Sequence, residues 1–167
     1  MKITCSWIRV RIHIRARCSL NESDRFSAIN WDRKECINMI GLILVSHSKK
    51  ISDGIKELVM EMTKDEVPII SAGGTSDGRL GTSADLIIEA INELSSCNNI
   101  LIFTDLGSSI MSSEIAIDLV DDDLKAKCIL VDAPIVEGAF VAGVQSMVSD
   151  DVNAVLEEVK LTKTTKF

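Results

Sequence analysis

Ile40–Ser48 reads IGLILVSHS, a short apolar run that stops at a histidine between two serines. An apolar run of this length is typical of a strand that is buried on both faces of a parallel sheet. The polar end of such a strand lies at the carboxyl edge of the sheet, where open α/β folds bind their ligands. His47, one of two histidines in the chain, is therefore the candidate nucleophile or proton carrier.

Strand-like and helix-like patterns alternate from this strand to the end of the chain. Further apolar runs predict strands at 67–72, 99–104 and 128–131. Apolar residues spaced by three and four predict helices at 51–62, 84–94, from 109 to about 120, 138–148 and 152–159. Alternation of this kind favours right-handed βαβ crossovers. The predicted fold is α/β, a doubly wound, mainly parallel four-stranded sheet with helices on both faces, and Asp121–Asp123 is predicted to be a solvated turn.

Residues 1–38 differ from the rest of the chain in composition. They carry eight Lys and Arg against four Asp and Glu, whereas residues 39–167 carry ten against twenty-one. Alternating arginines between residues 9 and 17 interrupt the apolar core that a secretory signal requires. Because Met39 directly precedes the first strand, residues 1–38 are predicted to be a non-native or disordered leader, and residues 39–167 the folded domain.

Composition also excludes several classes of protein. The acidic body lacks the positive surface that replaces phosphate counterions, so nucleic-acid binding is not expected. No segment reaches the length of a membrane span. Cys97 and Cys128 stand singly in apolar segments, which indicates reduced core thiols rather than a disulfide framework or a zinc site. We expect a cytoplasmic protein without a metal or another cofactor.

Polar residues follow three of the predicted strands. Besides Ser46–Ser48, these are the glycine-rich stretch Gly73–Ser83 and the stretch Asp105–Ser109. A carboxylate such as Asp105 can hold one ring nitrogen of His47 and leave the other ready for attack. Because parallel strands end at one edge, the sequence predicts a histidine nucleophile beside these groups.

Two of these stretches also open helices. Thr82-Ser83 and Ser108-Ser109 stand at predicted helix starts, where free N–H groups and the helix dipole attract anions. Together with glycine amides they suit a phosphoryl group. Each element also has a structural interpretation, because His47 can be a surface histidine, Asp105 can cap the next helix and the glycine-rich stretch can be a simple connection.

Other chemistries lack their motifs. The chain contains no P-loop sequence, and the Gly73–Gly78 stretch does not have the spacing of a dinucleotide-binding loop. A Gly-x-Ser-x-Gly elbow is missing, which disfavours a serine hydrolase. A phospho-receiver domain would need acidic residues after the first strand, where this chain has His47.

Four sequence blocks carry a family resemblance. They are Met39–Ser48, Gly81–Ser83, Asp105–Ser108 and Ala133–Gly138. In this order and spacing they resemble the phosphoryl-donor subunits of phosphoenolpyruvate-dependent dihydroxyacetone kinases, which belong to the mannose-family enzyme IIA group of the bacterial phosphotransferase system. The likeness covers residues 39–167 and corresponds to the short, single-domain form.

The resemblance implies a phosphotransferase that acts as a phosphoryl carrier. His47 matches the histidine that takes a phosphoryl group from the phosphocarrier protein HPr. The acceptor is ADP held in the nucleotide-binding kinase subunit, which then phosphorylates dihydroxyacetone in glycerol metabolism. Asp105 matches the residue that orients this histidine, and the candidates for the phosphate cup are Thr82, Ser83, Gly107 and Ser108.

The resemblance also implies a homodimer, and the small residues Gly138, Ala139, Ala142 and Gly143 either pack across such an interface or pack inside one subunit. Two further functions stay open. One is a mannose-family sugar-transport enzyme IIA, with the same histidine but a membrane permease as the destination of its phosphoryl group. The other is a regulatory module that binds a partner according to its phosphorylation state.

Overall fold

The computed structural model describes residues 39–164, so the predicted leader at residues 1–38 lies outside the described residues. The strands are β1 (Ile40–Val45), β2 (Ile69–Ser71), β3 (Asn99–Thr104) and β4 (Cys128–Val131). The helices are α1 (Lys49–Thr63), α2 (Ala84–Glu93), α3 (Gly107–Leu119), α4 (Asp122–Lys125), α5 (Ile135–Ser146) and α6 (Val152–Leu161).

The four strands form one parallel sheet in the order β2-β1-β3-β4. All six residues of β1 are buried, because the strand has a neighbour on each side and helices on both faces. β1 pairs with β3 along its whole length, from Ile40 opposite Asn99 to Val45 opposite Thr104. The predicted doubly wound α/β fold is therefore confirmed.

Two apolar cores lie on opposite faces of the sheet. One contains side chains of α1, α5 and α6, including Ile55, Ala142 and Val159. The other contains side chains of α2 and α3, including Ile91 and Ala116. No helix within residues 39–164 is long and apolar enough to cross a membrane.

The small residues of α5 pack inside the subunit. Ala139 and Ala142 are fully buried in the core beside α1. A Cβ atom at Gly143 would lie 2.4 Å from Val59 Cγ1, and one at Gly138 would lie 2.9 Å from Ala133 Cβ. Of the two alternatives for these residues, the structure therefore shows close packing within one chain.

Several predicted boundaries are wrong. β2 has three residues instead of six, and α5 begins at Ile135 rather than Gly138. Asp122 and Asp123 begin the short helix α4 and are not part of a simple turn.

Cys97 is buried and Cys128 is half-buried, both as thiols, and burial raises the pKa of Cys128 to about 11.

The apolar residues spaced by three and four along α1 do not all face the core. Ile55 and Val59 are buried, but Ile51, Leu58 and Met62 are about half exposed. Ser52 and Thr63 occupy buried positions instead. At these two positions Gly73 and Gly143 approach the helix closely.

Candidate active site

The carboxyl ends of β1 and β3 bring the predicted nucleophile and carboxylate together. The last residue pair between the two strands is Val45 with Thr104, so both strands end at the same level of the sheet. His47 follows one strand by two residues and Asp105 follows the other by one. The parallel register therefore places the two side chains within direct contact.

Asp105 binds His47 through both the ring and the backbone. Oδ1 of the carboxylate lies 3.0 Å from Nδ1 of His47, and Oδ2 accepts a hydrogen bond of 2.9 Å from the His47 backbone N–H. The side chain of His47 is 29% exposed, whereas that of Asp105 is 15% exposed. The ring is thus held from its inner side and remains open to solvent.

Five hydrogen-bond donors surround the Asp105 carboxylate within 3.0 Å. Besides the two from His47, they are the hydroxyls of Ser46 and Ser109 and the backbone N–H of Leu106. Burial alone would raise the pKa of Asp105, but the hydrogen bonds from His47, Ser46 and Ser109 outweigh it and lower the pKa to about 2. Asp105 is therefore ionised at neutral pH.

The ionised carboxylate fixes the tautomer of the neutral His47 ring. A carboxylate only accepts hydrogen bonds, so the contact requires the ring proton on Nδ1. Nε2 then carries a lone pair and accepts a hydrogen bond of 2.6 Å from the Ser108 hydroxyl. Nε2, on the exposed side of the ring, is therefore the deprotonated ring nitrogen.

Ser108 reaches Nε2 because α3 begins directly after Asp105. Gly107 is the first residue of this helix, and Leu106 precedes it in an extended conformation. The Leu106 N–H donates to Ser109 Oγ over 3.1 Å, which helps to fix the entry into the helix. The first turn of α3, with its free N–H groups and positive dipole end, thus lies beside the exposed nitrogen of His47.

The glycine-rich stretch after β2 contacts the backbone of Ser46 and His47. The Gly74 N–H donates to the Ser46 carbonyl over 2.9 Å, and the Gly81 N–H donates to the His47 carbonyl over 2.8 Å. Gly81 has a φ of 144°, and a Cβ there would lie 2.8 Å from Thr75 Cγ2. This stretch is therefore a structured brace for His47 and not only a connection.

Thr82 and Ser83 have surroundings that differ from those of Ser108. The Thr82 hydroxyl lies 2.8 Å from the Ser112 hydroxyl, so it joins the start of α2 to α3. Ser83 is the residue that precedes α2, and its side chain makes no capping hydrogen bond. Of the four predicted phosphate-cup residues, Ser108 contacts His47 and Gly107 precedes it at the start of α3, while Thr82 and Ser83 lie at the start of α2.

A cleft of about 360 Å³ lies beside Asp105, between the carboxyl ends of β3 and β4. Most of its lining residues are apolar or glycine, with Asp105 and Asp132 as the charged residues. Within residues 39–164, no group of three or more His, Cys, Asp and Glu side chains could hold a metal ion.

The part of the chain that forms this site matches a known protein family. Residues 41–156 match the EIIA-man family, described as the PTS system fructose IIA component. The chain belongs to this family. The match spans β1 to α6 and includes His47, Asp105 and both predicted helix starts.

Curated relatives of this EIIA-man chain are named as phosphoryl donor subunits of dihydroxyacetone kinases. It is 50% identical over 120 residues to the phosphoryl donor subunit DhaM of PEP-dependent dihydroxyacetone kinase 2 from Listeria innocua, which covers 72% of this chain and 96% of the relative. It is 34% identical over 121 residues to DhaM of Escherichia coli K12, covering 71% of this chain and 26% of the relative. The family resemblance predicted from the four sequence blocks is confirmed.

Two solved structures share the EIIA-man fold of this chain. EF1359, described as a protein of unknown function, has a TM-score of 0.72 and 45% identity, covering 77% of this chain and 98% of that one. The phosphotransferase system component EIIA from Streptococcus agalactiae has a TM-score of 0.55 and 19% identity, covering 74% and 92%. The second likeness supports the fold alone.

The sequence-based set of site residues omits two serines of the EIIA-man site. Ser46 and Ser109 are fully buried, and both hydroxyls lie against the Asp105 carboxylate. Both lie in the polar stretches that follow β1 and β3. Their shared partner could not be inferred from the sequence, because it depends on the register of these two strands and on the path of the chain into α3.

Proposed function

We propose that this protein is the phosphoryl donor subunit of a phosphoenolpyruvate-dependent dihydroxyacetone kinase. The observation that carries the proposal is the exposed Nε2 of His47, deprotonated because Asp105 binds the opposite ring nitrogen. Relatives named as such subunits, among them the one from Listeria innocua, support the choice of system. The protein acts as a phosphotransferase without a cofactor, in the cytoplasm and in glycerol metabolism.

The first transfer loads the histidine. The Nε2 lone pair of His47 attacks the phosphorus carried by HPr, a new N–P bond forms, and the bond to the donor breaks with its electron pair leaving on HPr. The phosphorylated ring keeps its proton on Nδ1 and becomes cationic. The Asp105 carboxylate, 3.0 Å from Nδ1, balances this charge, so it stabilises the loaded form more than the free form.

The second transfer unloads it. A terminal phosphate oxygen of ADP in the kinase subunit attacks the phosphorus, the N–P bond breaks, and the electron pair returns to Nε2. ATP then forms within the kinase subunit and phosphorylates dihydroxyacetone. Both transfers require in-line approach from outside, which suits a ring nitrogen that faces solvent.

We assign the phosphate cup to the two helix starts. Ser108 gives up its hydrogen bond with Nε2 when the phosphoryl group arrives and donates to a phosphoryl oxygen instead, while the N–H groups after Gly107 add the positive end of α3. Thr82 and Ser83 contribute from the start of α2, on the brace that holds the His47 carbonyl. Asp105 orients His47 throughout.

We also propose that the protein forms a homodimer. The small residues of α5 are used inside the subunit, so the dimer has to use other surfaces. Light scattering at several concentrations tests this: a mass of two chains is expected, and a single-chain mass at all concentrations would contradict it.

Reconstitution tests the function. The protein is mixed with enzyme I, HPr, phosphoenolpyruvate, ADP-loaded kinase subunit and dihydroxyacetone, and dihydroxyacetone phosphate is measured. We expect product only when every component is present, and none with His47→Gln. Loading of His47 without product would favour a sugar-transport enzyme IIA or a regulatory module, and absence of loading would refute the carrier function.

A further inference from the structure

Ser46 has no part in the transfer chemistry, yet it is fully buried beside the reacting residues. Its hydroxyl donates to Asp105 Oδ2 over 2.8 Å and accepts from the Ser48 N–H over 3.2 Å. Its carbonyl accepts from the Gly74 N–H. Ser46 thus forms hydrogen bonds with the Asp105 carboxylate, with the backbone after His47 and with the glycine-rich stretch.

Ser46 differs from Ser109 in where its proton can go. Ser109 Oγ lies close to two acceptors, the Leu106 carbonyl and Asp105 Oδ1, and a hydroxyl has one proton to share between them. The Ser46 hydroxyl has Asp105 Oδ2 as its acceptor. Ser46 is therefore the hydroxyl committed to the carboxylate.

The two oxygens of Asp105 have different partners. Oδ1 accepts from the His47 ring, the Leu106 N–H and the Ser109 hydroxyl, whereas Oδ2 accepts from the Ser46 hydroxyl and the His47 backbone N–H. Rotation of the carboxylate about its Cβ–Cγ bond, which is a soft torsion, would disturb the contacts of both oxygens. Ser46 supplies the side-chain bond to Oδ2, which resists this rotation and helps to keep Oδ1 in line with Nδ1.

We propose that Ser46 is a positioning residue for phosphoryl transfer, which fixes the Asp105 carboxylate so that His47 keeps its proton on Nδ1 and presents Nε2. This inference rests on the proposed carrier function of His47. It assigns a role to the residue before the nucleophile, through Asp105 and not through the phosphoryl group.

The test compares Ser46→Ala with Ser113→Ala. Ser113 is also fully buried, and its hydroxyl donates to the Ser109 carbonyl of its own helix rather than to Asp105. Thermal unfolding first establishes that both variants fold. Single-turnover loading from phosphorylated HPr is then measured, and ¹H–¹⁵N NMR of the His47 ring reports the tautomer at a pH where the ring is neutral.

For Ser46→Ala we expect loading to slow by about tenfold at saturating HPr, with little change in the HPr concentration for half-maximal rate. The ring nitrogens should shift toward a mixture of tautomers. Ser113→Ala should load like the wild type and keep the Nδ1–H tautomer. An unchanged rate in Ser46→Ala, or a slower rate with an unchanged tautomer, would overturn the proposal.

Two further measurements keep the outcomes separate. If Ser46→Ala does not fold, Ser46→Cys keeps the size and a weak donor, and the same shift in tautomer is expected in smaller degree. If wild-type protein is not loaded by HPr, the carrier function fails, while the NMR comparison still decides whether Ser46 fixes the tautomer. An Nδ1–H tautomer that survives in both Ser46 variants would contradict the positioning role.

Discussion

The starts of α2 and α3 look alike in sequence but have different surroundings. Both follow a parallel strand and open with a glycine and hydroxyl residues, Gly81–Ser83 and Gly107–Ser109. At α3 the Ser108 hydroxyl contacts Nε2 of His47, whereas at α2 the Thr82 hydroxyl contacts Ser112. Similar sequences at two helix starts therefore do not imply the same contacts with His47.

The length of the connection explains the difference. α3 begins two residues after Asp105, and β3 pairs with β1 along six residues, so the helix start is fixed against His47. α2 begins thirteen residues after the end of β2, which pairs with β1 at three positions. The intervening stretch contributes backbone N–H groups to the carbonyls of Ser46 and His47.

The largest effect should come from the link between β1 and the start of α3. In Asp105→Asn the amide can donate as well as accept, so the His47 tautomer is no longer fixed and no charge balances the loaded ring. We expect phosphoryl loading from HPr to fall by about 10² or more. The loading rate is measured with labelled phosphoenolpyruvate in reactions that are quenched at successive times. A loss of rate below about threefold would contradict the orienting role of Asp105.

The stability of the protein in acid should also depend on Asp105. The pKa of Asp105 lies at about 2 in the folded protein and near 3.8 in the unfolded chain. Its contribution of about 2 kcal/mol is present above pH 4 and is lost as the pH falls toward 2. Urea unfolding at pH 7 and pH 3 should therefore show a smaller pH dependence for Asp105→Asn than for wild type, and an equal dependence would contradict the pKa shift.

Removing the hydroxyl beside Nε2 should have a moderate effect. We expect Ser108→Ala to slow loading by about tenfold, because a hydrogen bond to a charged phosphoryl group is lost. Thermal unfolding should change little, since Ser108 is exposed. A rate equal to that of the wild type would remove Ser108 from the phosphate cup.

The matching change at α2 should have the smallest effect. Thr82→Val keeps the shape of the side chain and removes its hydrogen bond with Ser112. We expect loading to slow by about threefold, less than in Ser108→Ala, because the Thr82 hydroxyl is bonded to Ser112 and not to His47. A fall as large as that of Ser108→Ala would show that both helix starts serve the phosphoryl group equally.

Sequence patterns were sufficient for three of the strands. The bounds of β3 and β4 agree with prediction, and β1 begins and ends at the expected residues, because each strand is mainly a continuous apolar run between polar residues. The pairing of His47 with Asp105 also follows from strand ends that share one edge. These features depend on local sequence and on the rule that connects parallel strands.

Packing between distant segments could not be predicted in the same way. On α1, Ser52 and Thr63 are buried because Gly73 and Gly143 approach closely: a Cβ at Gly73 would lie 2.0 Å from Ser52 Oγ, and one at Gly143 would lie 3.4 Å from Thr63 Cγ2. Larger apolar residues such as Leu58 therefore turn outward. The hydroxyls around Asp105 were missed for the same reason, since their partners come from other segments.

The central claim is that Nε2 of His47 carries the phosphoryl group while Nδ1 stays bound to Asp105. The most direct measurement is ¹H–¹⁵N and ³¹P NMR of the protein loaded by enzyme I, HPr and phosphoenolpyruvate. We predict one acid-labile phosphoryl group, bonded to Nε2 of His47, with a proton on Nδ1, and no such signal in His47→Gln. A phosphoryl group on Nδ1, or one that persists in His47→Gln, would contradict the claim.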